Sequence, residues 1–224
     1  MSVVITIDGP SGSGKGTICK LIAEASGFEL LDSGALYRLT ALATVEQGAN
    51  SADEQQVAGI AASLDIKFIP QEGSTQVMLA GKDVTKAIRA EEIGMLASTV
   101  AAYPAVRQAL LDRQRAFLTD KGLVADGRDM GTVVFPAAPL KIFLTASAQE
   151  RANRRVKQLE QAGAASINYG QILSDIEKRD EQDRNRATAP LLPADDAVML
   201  DSTALSIDEV KQQILGLAKA RQLF

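Results

Sequence analysis

Along the chain, short and mostly continuous apolar runs alternate with stretches in which apolar residues recur every third or fourth position. The runs are VVITI (3–7), FELL (28–31), LVA (123–125), LKIFL (140–144) and AVML (197–200). Runs of this kind predict strands buried on both faces of a parallel sheet. After the first run, Ile18, Leu21, Ile22 and Ala25 form a single stripe at helical spacing, and Gly27 follows as a C-terminal cap. Ser-x-x-Glu capping boxes at Ser147/Glu150 and Ser206/Glu209 announce two later helices. Strand and helix in alternation imply an α/β fold with helices on both faces of a parallel sheet.

Two regions break the alternation. Between about 63 and 119, LDIKFI, TQVMLA and KDV predict small strands around turns at Glu72-Gly73 and Ala80-Gly81-Lys82, followed by helical stretches, one opened by Pro104. A small inserted subdomain over 63–119 is expected, leaving a core of 1–62, 120–146 and 187–224. Residues 147–186 are helical in pattern, dense in charge and too polar on all sides to be core, which predicts a mobile lid.

Composition narrows the chemistry. The chain has 224 residues, of which 46% are hydrophobic and 23% charged, as in an ordinary soluble protein of one or two domains. A net charge of -4 argues against bulk attraction to nucleic acid or anionic membrane, so any anion site must be local. Cys19 is the only cysteine, which excludes an internal disulfide and a thiolate zinc site and suits a buried core position. There is no histidine, so Ser-His-Asp and Cys-His hydrolases and histidine-ligated metals are excluded. MSVVITIDG carries no basic segment ahead of a signal-length apolar stretch, and no run approaches a membrane span, so a cytoplasmic protein is expected. No heptad stripe demands a dimer, and a monomer is expected.

GPSGSGKGT (9–17) lies between the first strand and the first helix. Gly9, Gly12, Gly14 and Gly16 leave backbone amides open to wrap phosphate oxygens at the positive end of a helix, with Ser11, Ser13 and Thr17 as loop hydroxyls and Lys15 as a point charge on the outer phosphates. The fit to G-x-x-x-x-G-K-[ST] is complete through the lysine; Gly16 stands where a hydroxyl would meet magnesium, and Thr17 comes one later. A nucleoside triphosphate, ATP, with Mg2+, is the implied ligand.

Asp126 ends the LVA strand, at the carboxyl edge where a carboxylate holds magnesium, often through water; the other reading is a turn residue before Gly127. Arg128 and Asp129 follow in the same loop and could reach a second substrate. LDSGALYR again joins a strand to a helix, making Ser33, with Arg38 a turn further, either a second anion site or a plain helix cap. Arg151, Arg154 and Arg155 share one helix face, and KRDEQDRNR adds Arg179, Asp183, Arg184 and Arg186. Singly each fits a solvated face; together, near a phosphate loop, they suit clamps on a transferring phosphoryl group. With no base to activate a hydroxyl, a phosphomonoester acceptor, already largely dianionic at neutral pH, is the natural partner.

GPSGSGKGT, LDSGALYR, ADGRDMGTVVFP, RANRR and KRDEQDRNRATAPL together resemble the bacterial cytidylate kinases of the nucleoside monophosphate kinase family, over residues 3 to about 215. The resemblance implies an α/β fold of P-loop NTPase type, with a five-stranded parallel sheet, helices on both faces, a small acceptor-binding insert and a helical arginine-rich lid. It implies ATP-dependent phosphorylation of CMP or dCMP. In that family pattern Lys15 and the loop amides bind ATP phosphates, Arg151 and Arg155 close on the transferred group, and Ser33, Arg38 and Arg128 hold the acceptor phosphate. Ser98, Arg107 and Asp129 recognise cytosine, with Arg186 near the base and Arg179 and Asp183 near the ribose. The Gly16-Thr17 spelling is also that family's. Competing expectations are a P-loop kinase for AMP, UMP or a hydroxylated metabolite, and a GTP-controlled switch; the chain lacks the Asn-Lys-x-Asp and Asp-x-x-Gly motifs of the latter.

Overall fold

The computed structural model describes residues 2–71, 74–161, 163–164 and 166–224. Its elements in chain order are β1 (Val4–Asp8), α1 (Lys15–Ser26), β2 (Glu29–Asp32), α2 (Ser33–Glu46), α3 (Glu54–Ala62), β3 (Ile66–Gln71), β4 (Ser74–Leu79), β5 (Lys82–Asp83), a short turn of helix (Ala87–Arg89), α4 (Glu91–Val100), α5 (Pro104–Arg115), β6 (Leu123–Gly127), a wide helical turn (Met130–Val134), β7 (Leu140–Thr145), α6 (Ala148–Gln161), α7 (Tyr169–Asn185), β8 (Val198–Asp201) and α8 (Ile207–Ala220). The chain forms two compact units, one of residues 1–32 and 115–224, the other of 33–114.

The first unit is built on a five-stranded parallel sheet in the order β2-β6-β1-β7-β8. All five expected strands are present, and each runs one or two residues past its apolar stretch, to Asp8, Asp32, Gly127, Thr145 and Asp201. The parallel ladder continues where hydrophobicity stops, which leaves carboxylates at the strand ends. Side chains alternate across the sheet. Ile5, Ile7, Val124, Leu140, Ile142, Leu144 and Leu200 face α1 and α8, which contribute Ile18, Cys19, Ile22, Ala23, Val210, Ile214 and Ala218 to one core. Cys19 sits there fully buried, as its composition argument required. On the other face the turn at Met130–Val134 lies close over β1 and β7, since a Cβ on Gly131 would stand 3.0 Å from Thr6 Oγ1 and 3.1 Å from Lys141 Cδ.

β1 sends the chain outward to β2, whereas its neighbour β6 sends it the other way, past β1 to β7. Right-handed crossovers in opposite directions part the two loops, so the crevice of a doubly wound sheet opens at the carboxyl ends of β1 and β6. α1 ends on Gly27 at φ 74, whose N–H reaches the Ala23 carbonyl at 2.8 Å, and Ser206 and Glu209 form the full reciprocal capping box of α8. At α6 Ser147 Oγ accepts the Glu150 N–H, while the Glu150 carboxylate accepts from Arg154 Nε at 2.9 Å.

Residues 147–186, expected to be too polar on all sides to be core, bury Arg151, Ala152, Asp180 and Asp183, and α6 lies against α7. Arg151 Nη1 donates to Asp180 Oδ1 at 2.9 Å, so a buried ion pair joins α6 and α7. Charge density there marked partners for one another rather than a wholly solvated face.

The second unit starts at Ser33, earlier than the 63–119 insert read from the sequence, because α2 packs with α3 and α4. α2 is buried nearly all round, and its Thr40 and Thr44 hydroxyls donate to carbonyls one turn back at 2.9 and 2.8 Å. β3, β4 and β5 form an antiparallel sheet. Ala80 and Gly81, at φ 47 and 76, make its two-residue β4–β5 turn, matching the twist of the strands. The turn expected at Glu72-Gly73 lies outside the described residues.

Candidate active site

The loop from Gly9 to Gly14 connects β1 to α1. Gly9 is obligatory: a Cβ there would come within 2.0 Å of the Leu144 carbonyl oxygen on β7. Gly14 caps α1 in the left-handed region at φ 90. Three cations take the loop's carbonyls. Lys15 Nζ donates to Pro10 O at 3.1 Å, Arg151 Nη1 to Ser11 O at 3.0 Å and Arg154 Nη1 to Ser13 O at 3.1 Å. A peptide's N–H points opposite to its carbonyl, so the Ser11 and Ser13 carbonyls turned to Arg151 and Arg154 point the Gly12 and Gly14 amides away from those guanidinium groups. Ser13 Oγ is buried and has no hydrogen-bond partner among the described residues. A buried hydroxyl left this way is rare and calls for a ligand atom, which a phosphate oxygen supplies.

Asp126 is not a turn residue; it lies inside β6, 8% exposed, opposite Ile7 of β1 and Asp32 of β2. Lys15 Nζ stands 4.0 Å from its Oδ1. Burial pushes the Asp126 carboxyl up to about 7 against the pull of Lys15, while burial lowers the lysine and Asp126 draws it back up. Gly16 fits the same corner, since a Cβ on it would meet Asp126 Oδ2 at 3.4 Å. The carboxylate therefore reaches the loop at the position where a hydroxyl residue was expected.

Two residues past Asp126, Arg128 forms an ion pair with Asp183 of α7. Burial raises the Asp183 carboxyl, but Arg128 and Arg186 outweigh it and hold the group below the ordinary carboxylate range, with Arg179 adding to the effect. Arg186 Nη1 lies 3.8 Å from Asp183 and its Nε donates to Ala189 O at 2.9 Å. Asp129, 3% exposed, comes next in the loop. The first unit thus brings Lys15, Asp126, Arg128, Asp183, Arg186 and the charge of Arg179 into one electrostatic cluster.

The second unit holds the other candidates. Ser33 Oγ, buried at the start of α2, accepts from Gln114 Nε2 at 3.0 Å. Arg38 Nη1 donates to Ile88 O at 2.8 Å, and Gly94 makes room for its guanidinium, which would stand 3.0 Å from a Cβ there. Arg107, 9% exposed, donates to Ala101 O at 3.0 Å and stacks 5.6 Å from the Tyr37 ring centre. Ser98 Oγ donates to Gly94 O at 3.2 Å within its own helix.

Sequence reasoning missed Asp8, Asp180, Tyr37 and Gln114, and assigned no partner to Arg154, whose Nη2 also donates to Ser202 O at 2.6 Å. Gln114 had a signal: with Arg107 and Leu110 it falls at i, i+3, i+7 on the buried stripe of α5, where polar residues stand out. Among the described residues no helix is long and apolar enough to cross a membrane, and no cluster of three metal-ligating side chains occurs.

A glycine-rich phosphate cradle at the switch point of a parallel sheet, with lysine and carboxylate beside it, defines a P-loop phosphotransferase fold. The cytidylate kinase family model matches residues 5–220, and the chain belongs to that family. It is 98% identical over 224 residues to a cytidylate kinase of Saccharophagus degradans (strain 2-40), covering 100% of both chains. A cytidylate kinase of Serratia proteamaculans (strain 568) is 56% identical over 96% of this chain and 93% of its own, and one of Aliivibrio salmonicida (strain LFI1238) 55% identical over 98% of each.

Proposed function

We infer that the protein transfers the γ-phosphoryl group of ATP to CMP or dCMP, giving ADP and CDP or dCDP, as its cytidylate kinase relatives are named for. One strand end carries the reading: β6 places Asp126 beside Lys15 and continues at once into Arg128 and Asp129. The donor's phosphates fill the cradle of 9–17, where Ser13 Oγ needs an acceptor or donor and Lys15 neutralises the outer oxygens. Magnesium suits the corner between Gly16 and Asp126, because a single carboxylate with phosphate and water oxygens meets its preference. Bound there, it would supply positive charge to offset that of the ATP phosphates.

Arg128, Ser33 and Arg38 bind the acceptor phosphate, and Arg151 and Arg155 of the 147–186 lid serve the transferred group. Asp129, Arg107 and Ser98 read the base, with Arg186 beside it and Arg179 and Asp183 at the ribose. The insert read from the sequence as 63–119 carries its share of the acceptor site together with the rest of the 33–114 unit. Cytosine pairs an exocyclic amine donor with ring acceptors, which a carboxylate and a guanidinium complement; uracil reverses the first of these. The acceptor phosphate attacks as a dianion, which suits a chain with no histidine. A cytoplasmic monomer completes the reading.

The test is ADP release from ATP and magnesium with CMP, dCMP, UMP, AMP or GMP at equal concentration, and with no acceptor. Turnover confined to CMP and dCMP is expected. Turnover with another acceptor alone, or unchanged CMP kinetics in Arg128→Ala and Asp129→Ala, overturns the acceptor assignment.

A further inference from the structure

We propose that Asp8 is a positioning residue for base recognition: its carboxylate grips the two backbone amides that follow Asp129 and so fixes the loop presenting Arg128 and Asp129. This rests on the assignment of Asp129 to the cytosine edge. Asp8 closes β1 and is 5% exposed; Oδ1 accepts the Met130 N–H and Oδ2 the Gly131 N–H, both at 2.8 Å. Two acceptors side by side on one small group match two successive amides, and among side chains of this length only the ionised carboxylate offers them. A carboxamide would turn an NH2 donor toward one amide, leaving a buried donor facing a donor.

The gripped amides open the turn Met130–Val134, whose Val133 and Val134 N–H groups return to the Asp129 carbonyl at 2.9 and 3.2 Å. Asp129 is thereby fixed from two sides, its carbonyl by the turn and the peptides after it by Asp8. Its own backbone, at φ -145 and ψ 22, lies outside the regular helix and strand regions and needs such support. The turn cannot slide along the sheet to escape the grip. A Cβ on Gly131 would press on Thr6 and Lys141, and one on Gly127 would meet the Met130 side chain at 2.7 Å. Asp8 is also the residue before Gly9, so the strand end that launches the phosphate loop anchors the loop that reads the acceptor.

The experiment compares Asp8→Asn, Asp129→Asn and the double variant. The kcat/KM with CMP and with UMP is measured for each, together with the ATP dissociation constant in the absence of acceptor. Asp8→Asn is expected to lower the CMP-over-UMP ratio at least fivefold while ATP binding stays within twofold. In the Asp129→Asn background the same change should lower the ratio less than twofold further, because the residue it acts through is gone. A smaller drop in the single variant, an additive drop in the double, or a loss of ATP affinity matching the loss of kcat/KM overturns the proposal. If Asp129→Asn alone leaves the ratio unchanged, the base assignment falls and the proposal with it; if Asp129→Asn collapses the ratio and Asp8→Asn does not, the proposal falls alone. Should Asp8→Asn not fold, Asp8→Ser, with one small acceptor, undergoes the same measurements with the same outcomes.

Discussion

The phosphate loop and the α6–α7 pair handle charge in opposite ways. The loop leaves its backbone open through glycines at Gly9, Gly12 and Gly14, and sends carbonyls to Lys15, Arg151 and Arg154. The helix pair answers charge with charge, Arg151 against Asp180, both buried. Backbone recognition leaves its mark in consecutive residues, whereas the ion pair spans 29 positions and shows only after folding. Open amides suit a loop to take up a ligand; a buried pair yields a fixed geometry at the cost of desolvating two charges.

Substitutions test this contrast. The largest loss expected from the loop is Lys15→Ala, which should lower kcat/KM by about 10^3-fold, roughly 4 kcal/mol, with ATP and CMP as substrates. On the helix side, Asp180→Asn leaves Arg151 uncompensated in the interior and should cost about 3–5 kcal/mol in urea unfolding, whereas replacing both partners with apolar residues of similar volume should cost far less. If the single and double variants are equally unstable, the pair is not what joins the helices.

A pH series sharpens the comparison next. Burial pushes Asp8 and Asp126 up to about 7, so the folded state holds their protons more tightly than the unfolded chain, where the ordinary value is 3.8. Their contribution is fully present below pH 3.8 and is lost as pH rises through about 7. Unfolding free energy of the ligand-free protein should therefore fall between those limits by roughly 1 kcal/mol or more per pH unit, with a shallower slope in Asp8→Asn. Asp183 works in the reverse sense, its stabilisation lost only as pH falls below the ordinary carboxylate range. The smallest effects come from two hydroxyl and guanidinium tips. Ser13→Ala should change stability by less than about 1 kcal/mol, since its Oγ bonds to nothing among the described residues, yet weaken ATP binding about tenfold by calorimetry. Arg184→Ala, 63% exposed at the side chain, should stay within about 0.5 kcal/mol in unfolding.

The same contrast explains what could be read before folding. Five apolar runs located five strands, and the nine residues GPSGSGKGT marked the loop between β1 and α1, because both are local patterns. Of the carboxylates at the strand ends, Asp126 was singled out, but Asp8 was given no role. Its partners lie 122 and 123 positions away and are backbone amides, which carry no letter in the sequence. The extent of the second unit was hidden for a related reason. α2 reads as one more helix of the alternation, and only its packing with α3 and α4 shows which unit it belongs to. Ser98 was reachable through family resemblance alone, since its bond to Gly94 O within its own helix is one that any helix serine can make; Arg107, like Gln114, is a polar residue on the buried stripe of α5 and could have been singled out from that pattern.

Cys19 lends itself to use as a clock. It is the sole thiol, fully enclosed between α1 and the sheet, and its ionisation is pushed well up by burial. A thiol-directed chromophore can react only during those excursions that part α1 from the strands, so the rate of colour development counts how often α1 lifts away. Adding ATP should slow that rate by the factor with which it closes the loop ahead of α1.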